Sequence, residues 1–271
     1  MAIDIPGGIV LAGGGKMGSA MLAGWLKSDI PAKQIHVIEP DAEAGKRLAA
    51  LGVNVGTNAS ALPKTSSIVI FAVKPQVMDG VVPLYAPLAS SETVFLSIAA
   101  GCTISQFEGH LGAVPVVRSM PNTPAAIGLG MTVACANGAV SAAQKSHCQM
   151  LLEAIGEVAW VADEALMDPV TAVSGSGPAY VFLLIESLAA AGVEAGLLPD
   201  LALRLARATV RGAGELASQS DDAPSQLRVN VTSPGGTTAA ALDVLMAKDG
   251  LGNLMTRAVA AASRRSRELS G

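Results

Sequence analysis

Short apolar runs alternate with amphipathic helical patterns from the amino terminus of this chain to about Asp163, and the alternation then stops. A strand, a helix and a further strand in that order form a βαβ unit, in which the two strands run parallel. The first part of the chain therefore predicts an α/β domain with a doubly wound parallel sheet. The predicted strands are 8–12, 36–39, 68–73, 94–99, 114–118, 131–136 and 158–161, and the predicted helices between them are 17–27, 42–51, 77–88, 104–110 and 142–155.

Every later periodic stretch has the helical spacing of about 3.6 residues rather than the alternation of a strand. A chain of 271 residues is long enough for two domains, since domains commonly hold roughly 100–200 residues. We expect an α/β domain over residues 1–162, followed by an all-helical domain over residues 163–271. The predicted helices of the second domain are 178–195, 200–219, 225–231, 237–247 and 251–268.

The composition restricts the partners that this chain can have. Hydrophobic residues make up 51% and charged residues only 15%, and one copy has difficulty covering so much apolar surface. We therefore expect a homo-oligomer. A net charge of −4 and the lack of a basic run argue against nucleic acid as a partner.

Neither a membrane segment nor a metal site is predicted. The longest uncharged stretches, such as 119–144 and 169–185, are interrupted by proline, glycine and hydroxyl residues, unlike a spanning helix. The amino terminus carries Asp4 instead of the basic residues of a secretion signal, so we expect a cytoplasmic protein. Cys102, Cys135 and Cys148 lack the spacing of a disulfide or metal motif, and we expect them to be reduced.

The segment GGGKMG has glycines at G-x-G-x-x-G spacing, directly after the first predicted strand and at the start of a helix. In a Rossmann-like domain Gly13 permits the tight turn, Gly15 lets a pyrophosphate approach the backbone, and Gly18 lets the helix pack closely on the strand. The alternative is a glycine turn that binds nothing. The position of the motif between a strand and a helix favours a dinucleotide site.

Glu39 ends the second predicted strand about 20 residues after the glycine motif, where an acidic side chain can accept hydrogen bonds from ribose hydroxyls. A carboxylate at that position suits the free 2′-hydroxyl of NAD and repels the 2′-phosphate of NADP. Lys46 and Arg47 lie nearby and could compensate that repulsion.

Two further segments follow predicted strands, at the sheet edge where doubly wound folds bind ligands. FAVKPQ carries Lys74, which could equally be a solvated surface lysine. VRSMPNTP has two prolines that hold a rigid loop bearing Asn122 and Thr123, and it could be no more than a turn.

Glycine and hydroxyl residues also precede two apolar helices in the second domain, in VSGSGPAY and VTSPGGTT. Hydroxyls at a helix start commonly cap the first-turn N–H groups, which is a purely structural role. Free N–H groups at the positive end of a helix can instead hold a carboxylate or a phosphate. Neither segment has a His/Asp pair beside it in sequence, which argues against a serine hydrolase.

In this order and spacing, GGGKMG, FAVKPQ, VRSMPNTP, AVSGSGPAY and VTSPGGTT resemble the motifs of the pyrroline-5-carboxylate reductase family. The resemblance runs from Gly8 to about Glu268, and the last two motifs are specific to the family. It implies an oxidoreductase that uses NADPH or NADH to reduce the C=N bond of 1-pyrroline-5-carboxylate to L-proline, the last step of proline biosynthesis. It also implies a homodimer, or a higher assembly of dimers, in which one subunit's substrate loop faces the cofactor domain of the other.

The motif positions and the resemblance together give the expected site residues. Thr238 and Thr171 are the candidate catalytic residues, with the Thr238 hydroxyl close to the substrate ring nitrogen. The expected substrate-binding residues are Ser233, Gly236, Thr237, Thr238, Ser174 and Ser176. The expected cofactor-binding residues are Gly13, Gly15, Lys16, Met17, Gly18, Glu39, Asn58, Val73, Lys74 and Pro75, of which Asn58 matches the family only approximately.

Two alternative functions stay open on the sequence. A β-hydroxyacid dehydrogenase would need a catalytic lysine on a helix of the second domain, and no lysine lies between Gln149 and Ala247. A dinucleotide-sensing protein without turnover would keep the fold but would not need the substrate loops.

Overall fold

The computed structural model describes residues 5–270, which form an eight-stranded, mostly parallel sheet and eleven α-helices. The sheet order is β3-β2-β1-β4-β5-β6-β7-β8. The strands are β1 Ile9–Ala12, β2 Ile35–Ile38, β3 Asn54–Gly56, β4 Ile68–Phe71, β5 Val94–Ser97, β6 Val116–Met120, β7 Gly130–Ala136 and β8 Gly156–Trp160. The helices are α1 Lys16–Lys27, α2 Ala42–Ala49, α3 Met78–Val81, α4 Ile104–Leu111, α5 Ala142–Glu153, α6 Met167–Val170, α7 Gly177–Glu194, α8 Pro199–Gln219, α9 Pro224–Asn230, α10 Thr237–Leu245 and α11 Leu251–Ser270.

The order of the strands confirms the doubly wound α/β prediction, with two corrections. Strand β7 runs antiparallel to β6, because the connection 121–129 is shorter than the dozen or so residues that a parallel crossover needs. Strand β3 was missed, since its three residues are only partly buried and have no clear apolar pattern.

A third correction concerns the predicted helix 77–88. Only Met78–Val81 is α-helical, and Val82–Leu88 continues as a 3₁₀-helix that contains Pro83 and Pro87. Proline has no N–H to donate within a helix, which explains the change.

Two apolar layers cover the two faces of the sheet. On one face Met21, Leu22 and Trp25 of α1 pack with Leu151 and Leu152 of α5. On the other face the largest buried rings are Phe71, Tyr85, Phe95 and Phe107. Strands covered on both faces read as continuous apolar runs, which is why β1, β4 and β5 are visible in the sequence.

The contacts divide the described residues into two compact units: 5–175 with 262–270, and 176–261. This division differs from the predicted boundary after residue 162. Residues 164–175 belong to the first unit because Met167 is buried in the core beside Val133 and Cys135. In addition, the Ser266 hydroxyl donates to Asp168 Oδ1 at 2.6 Å and ties the end of α11 to the same unit.

The second unit is helical, as the sequence predicts, and its apolar residues are largely uncovered. Helices α7 and α8 approach closely at Gly192, where an added Cβ would lie 3.2 Å from the Ala202 side chain. Of residues 176–261, all of which are described, Ala202 and Ala206 are the buried hydrophobic residues. Phe182 and Leu183 on α7 are 57% and 60% exposed.

One helical stretch of the described residues, Glu164–Glu194, is long and apolar enough to cross a membrane by length and composition alone. This stretch was not predicted from the sequence, in which Pro169 and Pro178 interrupt the apolar run. In the structure α6, a π-helix and α7 follow one another there without a strand or a long loop.

Candidate active site

Two of the three motif glycines, Gly13 and Gly18, occupy positions where a side chain would collide with the backbone, and Gly15 faces open space. Gly13 has φ +97°, its N–H donates to the Ile38 carbonyl at 2.9 Å, and an added Cβ would lie 2.9 Å from the Ala72 carbonyl oxygen. A Cβ on Gly18 would overlap the Gly13 carbonyl oxygen, so Gly18 lets α1 lie directly against the turn. Nothing lies within 4 Å of an added Cβ at Gly15, which leaves that backbone open to a ligand.

The amino-terminal end of α1 is open as well. Gly15 is the N-cap residue, and no side chain caps the helix. The first turn carries Lys16 and Met17, and Lys16 is exposed. Uncapped N–H groups, a positive helix end and a lysine together form a site that suits a pyrophosphate.

Glu39 lies immediately after β2 and reaches back to the glycine turn. Its Oε2 accepts a hydrogen bond from the Gly14 N–H at 2.7 Å, and its Oε1 accepts one from the Asp41 N–H at 2.9 Å. The carboxylate is therefore fixed beside the turn at the carboxyl edge of the sheet.

The loop Val73–Pro75 follows β4 and lies against the same turn, because Val73 Cγ1 would be 2.9 Å from an added Cβ on Gly13. Lys74 is exposed, and Pro75 begins a 3₁₀-helix. Since β1 lies between β2 and β4 in the sheet, the three loops meet at the switch point where doubly wound folds bind ligands.

Asn58 has a structural role in the described contacts. Its Oδ1 accepts a hydrogen bond from the Ser60 N–H at 2.9 Å and caps the short 3₁₀-helix Ala59–Ala61. The side chain is exposed and follows β3, the outermost strand beside β2. Its expected contact with the cofactor stays a prediction.

A second group of polar residues forms where β6 ends. Asn122 Oδ1 accepts a hydrogen bond from the Met131 N–H at 2.9 Å, and Asn122 Nδ2 donates to Ser174 Oγ at 3.3 Å. Thr171–Gly175 is a π-helix, an irregularity that is frequent at functional sites. The Thr171 hydroxyl donates to the Met167 carbonyl at 2.8 Å and keeps lone pairs for a further donor.

The loop Ser233–Gly236 before α10 belongs to the second unit. Gly235 has φ +68°, and the Gly236 N–H donates to the Ser233 carbonyl at 3.0 Å. Gly236 is the N-cap residue of α10, and no side chain caps that helix. The hydroxyls of this segment therefore do not cap α10. This favours a site for a carboxylate or phosphate over a purely structural capping role.

Ser176, Thr237 and Thr238 lie at the starts of α7 and α10 and differ in how far they are buried. Ser176 is half-buried before α7, and its carbonyl accepts from the Ala179 N–H at 3.0 Å. Thr237 is exposed, whereas Thr238 is half-buried in the first turn of α10.

Two family models match the chain. One is described as pyrroline-5-carboxylate reductase dimerisation and matches residues 164–269. The other is described as NADP oxidoreductase, coenzyme F420-dependent, and matches residues 8–101. Pyrroline-5-carboxylate reductase of Pseudomonas aeruginosa is 42% identical over 97% of this chain and 96% of its own length. The pea enzyme of the same name is 39% identical over 95% and 94%.

The chain belongs to the pyrroline-5-carboxylate reductase family. Solved structures agree. A pyrroline-5-carboxylate reductase of Coxiella burnetii superposes with a TM-score of 0.93 at 33% identity, covering 98% of this chain and 99% of that one. Plasmodium falciparum pyrroline carboxylate reductase with NADP bound gives a TM-score of 0.83 at 32% identity over 97% and 98%. The family, the enzyme class and the fold predicted from the sequence are confirmed.

The reductase also contains an ion pair that its sequence does not predict. Arg118, only 5% exposed on β6, pairs with Glu164 at 2.9 Å. The same Glu164 oxygen accepts a hydrogen bond from the Ile104 N–H at 2.9 Å. The pair fixes the segment that leads to Thr171, and the motif VRSMPNTP was the signal that could have indicated it.

The three cysteines of the reductase are free and buried. Burial raises the pKa of Cys102 and of Cys135, and it raises the pKa of Cys148 to about 12. A buried thiol with a raised pKa stays protonated and is a poor nucleophile.

Proposed function

We propose that this chain catalyses the reduction of 1-pyrroline-5-carboxylate to L-proline, with NAD(P)H as the hydride donor. The observation that carries the proposal is the identity of 42% to a pyrroline-5-carboxylate reductase along nearly the whole of both chains. Two uncapped helix starts, at Gly15 and Gly236, supply the anion sites that a dinucleotide and a carboxylate substrate need.

The first unit holds the cofactor in this proposal. The N–H groups at the start of α1 face the pyrophosphate, while Glu39 and Asn58 lie toward the adenosine ribose and the loop after β4 lies along the dinucleotide. The geometry fits, because Gly15 leaves the backbone open and the three loops share one edge of the sheet. The proposed cofactor-binding residues are Gly13, Gly15, Lys16, Met17, Gly18, Glu39, Asn58, Val73, Lys74 and Pro75.

The second unit holds the substrate carboxylate at the start of α10. The backbone of Ser233, Gly236, Thr237 and Thr238 forms the cradle, and the positive end of the helix favours the anion. Ser176, and Ser174 of the first unit, are further proposed substrate-binding residues. The hydrogen bond from Asn122 positions the Ser174 hydroxyl.

When bound, NAD(P)H would supply a hydride to the ring carbon of the C=N bond, and a proton on the ring nitrogen completes the reduction to a secondary amine. The carbon is most electrophilic when the ring nitrogen is protonated, and a substrate that arrives protonated needs no strong acid from the protein. Thr238 contacts the nitrogen in this proposal. Thr171 can accept a hydrogen bond, because its own proton is given to the Met167 carbonyl. The residues act by positioning.

We further propose that the protein works in the cytoplasm as a homodimer or an assembly of dimers. The match to a dimerisation model over residues 164–269 supports a dimer. A partner copy would cover the exposed apolar side chains of α7, which belongs to the apolar helical stretch Glu164–Glu194.

Oxidation of NADH and of NADPH by the purified protein, with and without 1-pyrroline-5-carboxylate, tests the proposal. We expect nicotinamide absorbance to fall only when the substrate is present, with L-proline as the product. A protein that binds the dinucleotide yet gives no turnover with either cofactor would overturn it.

A further inference from the structure

We propose that Glu39 is a fixed reader of the cofactor's 2′-hydroxyl, and that this enzyme consequently uses NADH in preference to NADPH. The inference rests on the proposed cofactor site and specifies which dinucleotide that site accepts. The structure of the Plasmodium falciparum relative, by contrast, has NADP bound.

The Glu39 carboxylate is held at both oxygens by backbone groups. Oε2 accepts from the Gly14 N–H at 2.7 Å, and Oε1 accepts from the Asp41 N–H at 2.9 Å. A carboxylate has about four lone-pair directions, so roughly two stay available. Two vicinal ribose hydroxyls can use these, whereas a phosphate has no proton to offer at neutral pH.

The backbone around the carboxylate is fixed on both sides. The Glu39 N–H donates to the Gly56 carbonyl at 2.9 Å, and the Gly13 N–H donates to the Ile38 carbonyl at 2.9 Å. An added Cβ on Gly14 would lie 3.3 Å from Glu39 Oε2 and would overlap the Leu48 side chain. Moving the carboxylate aside to admit a phosphate would therefore break its hydrogen bonds with the Gly14 and Asp41 N–H groups.

The cations that could balance a 2′-phosphate lie at the far end of α2. Asp41 caps the start of this helix by accepting from the Ala44 N–H at 2.7 Å, and Glu43 follows in the first turn. Lys46 and Arg47 are in the last turn, and Lys46 is already paired with Glu43 at 2.8 Å. The start of α2, next to Glu39, thus carries carboxylates, whereas a site that binds the 2′-phosphate of NADP would carry an arginine there.

Measuring both turnover and binding tests the proposal. We expect kcat/KM to be at least about tenfold higher with NADH than with NADPH, since juxtaposed like charges disfavour the phosphate. Binding of ADP-ribose and of 2′-phospho-ADP-ribose, measured by calorimetry, should show the same order. These fragments carry no nicotinamide and undergo no reaction. Their binding therefore measures the preference of the ribose site even if pyrroline-5-carboxylate were not the substrate.

Glu39→Ser should lower the NADH/NADPH ratio by about tenfold or more, because both the hydroxyl acceptor and the negative charge are removed. Glu39→Gln keeps the size, removes the charge and should move the ratio in the same direction, which guards against misfolding of the serine variant. Glu157→Gln is the matched control, since Glu157 is exposed on β8, at the opposite end of the sheet order from β3. A wild-type preference for NADPH, or equal shifts from the Glu39 and Glu157 variants, would overturn the proposal.

Discussion

The two units of this reductase bury their apolar residues in different ways. The first unit has rings and branched side chains from both faces of its sheet in closed clusters, with Trp25 and Phe71 fully buried. In the second unit Leu183 and its neighbours are exposed, and within 176–261 the buried hydrophobic residues are two alanines. The first unit therefore has a core of its own, whereas the second needs a further surface to cover it.

The helix starts differ in a related way. Helices α4 and α5 begin with capping boxes, in which Thr103 pairs with Gln106 and Ser141 pairs with Gln144. Helices α1 and α10 begin at Gly15 and Gly236 without a side-chain cap. Among the helix starts without a side-chain cap, those of α1 and α10 have glycine as the N-cap residue, and they are the places where we expect anions to bind.

A charge on the exposed face of α7 should have the largest effect, because that face is the apolar surface of the second unit. Leu183→Glu would place a carboxylate in the surface that we expect a partner copy to cover, and such a change at the centre of an interface commonly costs more than about 2 kcal/mol. We expect the dimer to dissociate in light scattering after gel filtration. Leu84→Glu is the control, because Leu84 is 53% exposed in the first unit and Leu183 is 60% exposed. Equal behaviour of the two variants would contradict the difference between the units.

Adding one methyl group at Gly18 tests the closed packing of the first unit. The new Cβ would overlap the Gly13 carbonyl oxygen, so Gly18→Ala should lower stability by about 1–3 kcal/mol and weaken NAD(P)H binding. Gly80→Ala is the matched control, since it lies in α3 with nothing within 4 Å of the added Cβ. Thermal unfolding and dinucleotide titration of both variants test this prediction. Unchanged stability and NAD(P)H affinity in Gly18→Ala would show that the glycine turn can move to accommodate the methyl group.

Thr238→Ala tests the role of the second unit in binding the substrate. Loss of one hydrogen bond at the ring nitrogen should cost roughly 1–3 kcal/mol in the transition state, or about a tenfold to hundredfold drop in kcat/KM. The affinity for NAD(P)H should be unchanged. Thr256→Ala removes a hydroxyl that bonds the Gly252 carbonyl within α11 and should leave kcat/KM unaffected. Reduced thermal stability with normal turnover in Thr238→Ala would assign Thr238 a structural role.

The smallest effect concerns Cys148 in the core of the first unit. Burial raises its pKa from 9.0 to about 12, so the thiol is protonated in both states below about pH 9 and stability does not depend on it there. Between about pH 9 and 12 the unfolded chain loses the proton while the folded chain keeps it, and stability falls. The difference in Tm between the wild type and Cys148→Ala should shrink over that range. A constant difference would indicate that the thiol ionises in the folded state.

Much of the first unit could be predicted because its strands are buried on both faces. Ile9–Ala12 and Ile68–Phe71 are continuous apolar runs for that reason. The three-residue strand Asn54–Gly56 lacks such a run, and the direction of β7 depends on the length of a connection rather than on its residues.

The glycine turn at the carboxyl edge of the sheet could be predicted, because the spacing of its glycines indicates the backbone conformation. The tertiary contacts of the site could not be predicted. The Gly14–Glu39 hydrogen bond joins residues that are 25 positions apart, and the Asn122–Ser174 bond joins residues 52 apart. The π-helix Thr171–Gly175 has no sequence pattern that distinguishes it from an α-helix.

The most direct measurement is transfer of isotope from the cofactor to the product. NADH deuterated at both C4 positions of the nicotinamide is incubated with the protein and 1-pyrroline-5-carboxylate, and proline is examined by mass spectrometry and NMR. We predict L-proline with one deuterium at the carbon that belonged to the C=N bond, and no label at that carbon when unlabelled NADH is used in deuterated water. Unlabelled proline from the deuterated cofactor, or no proline at all, would contradict hydride transfer by this enzyme.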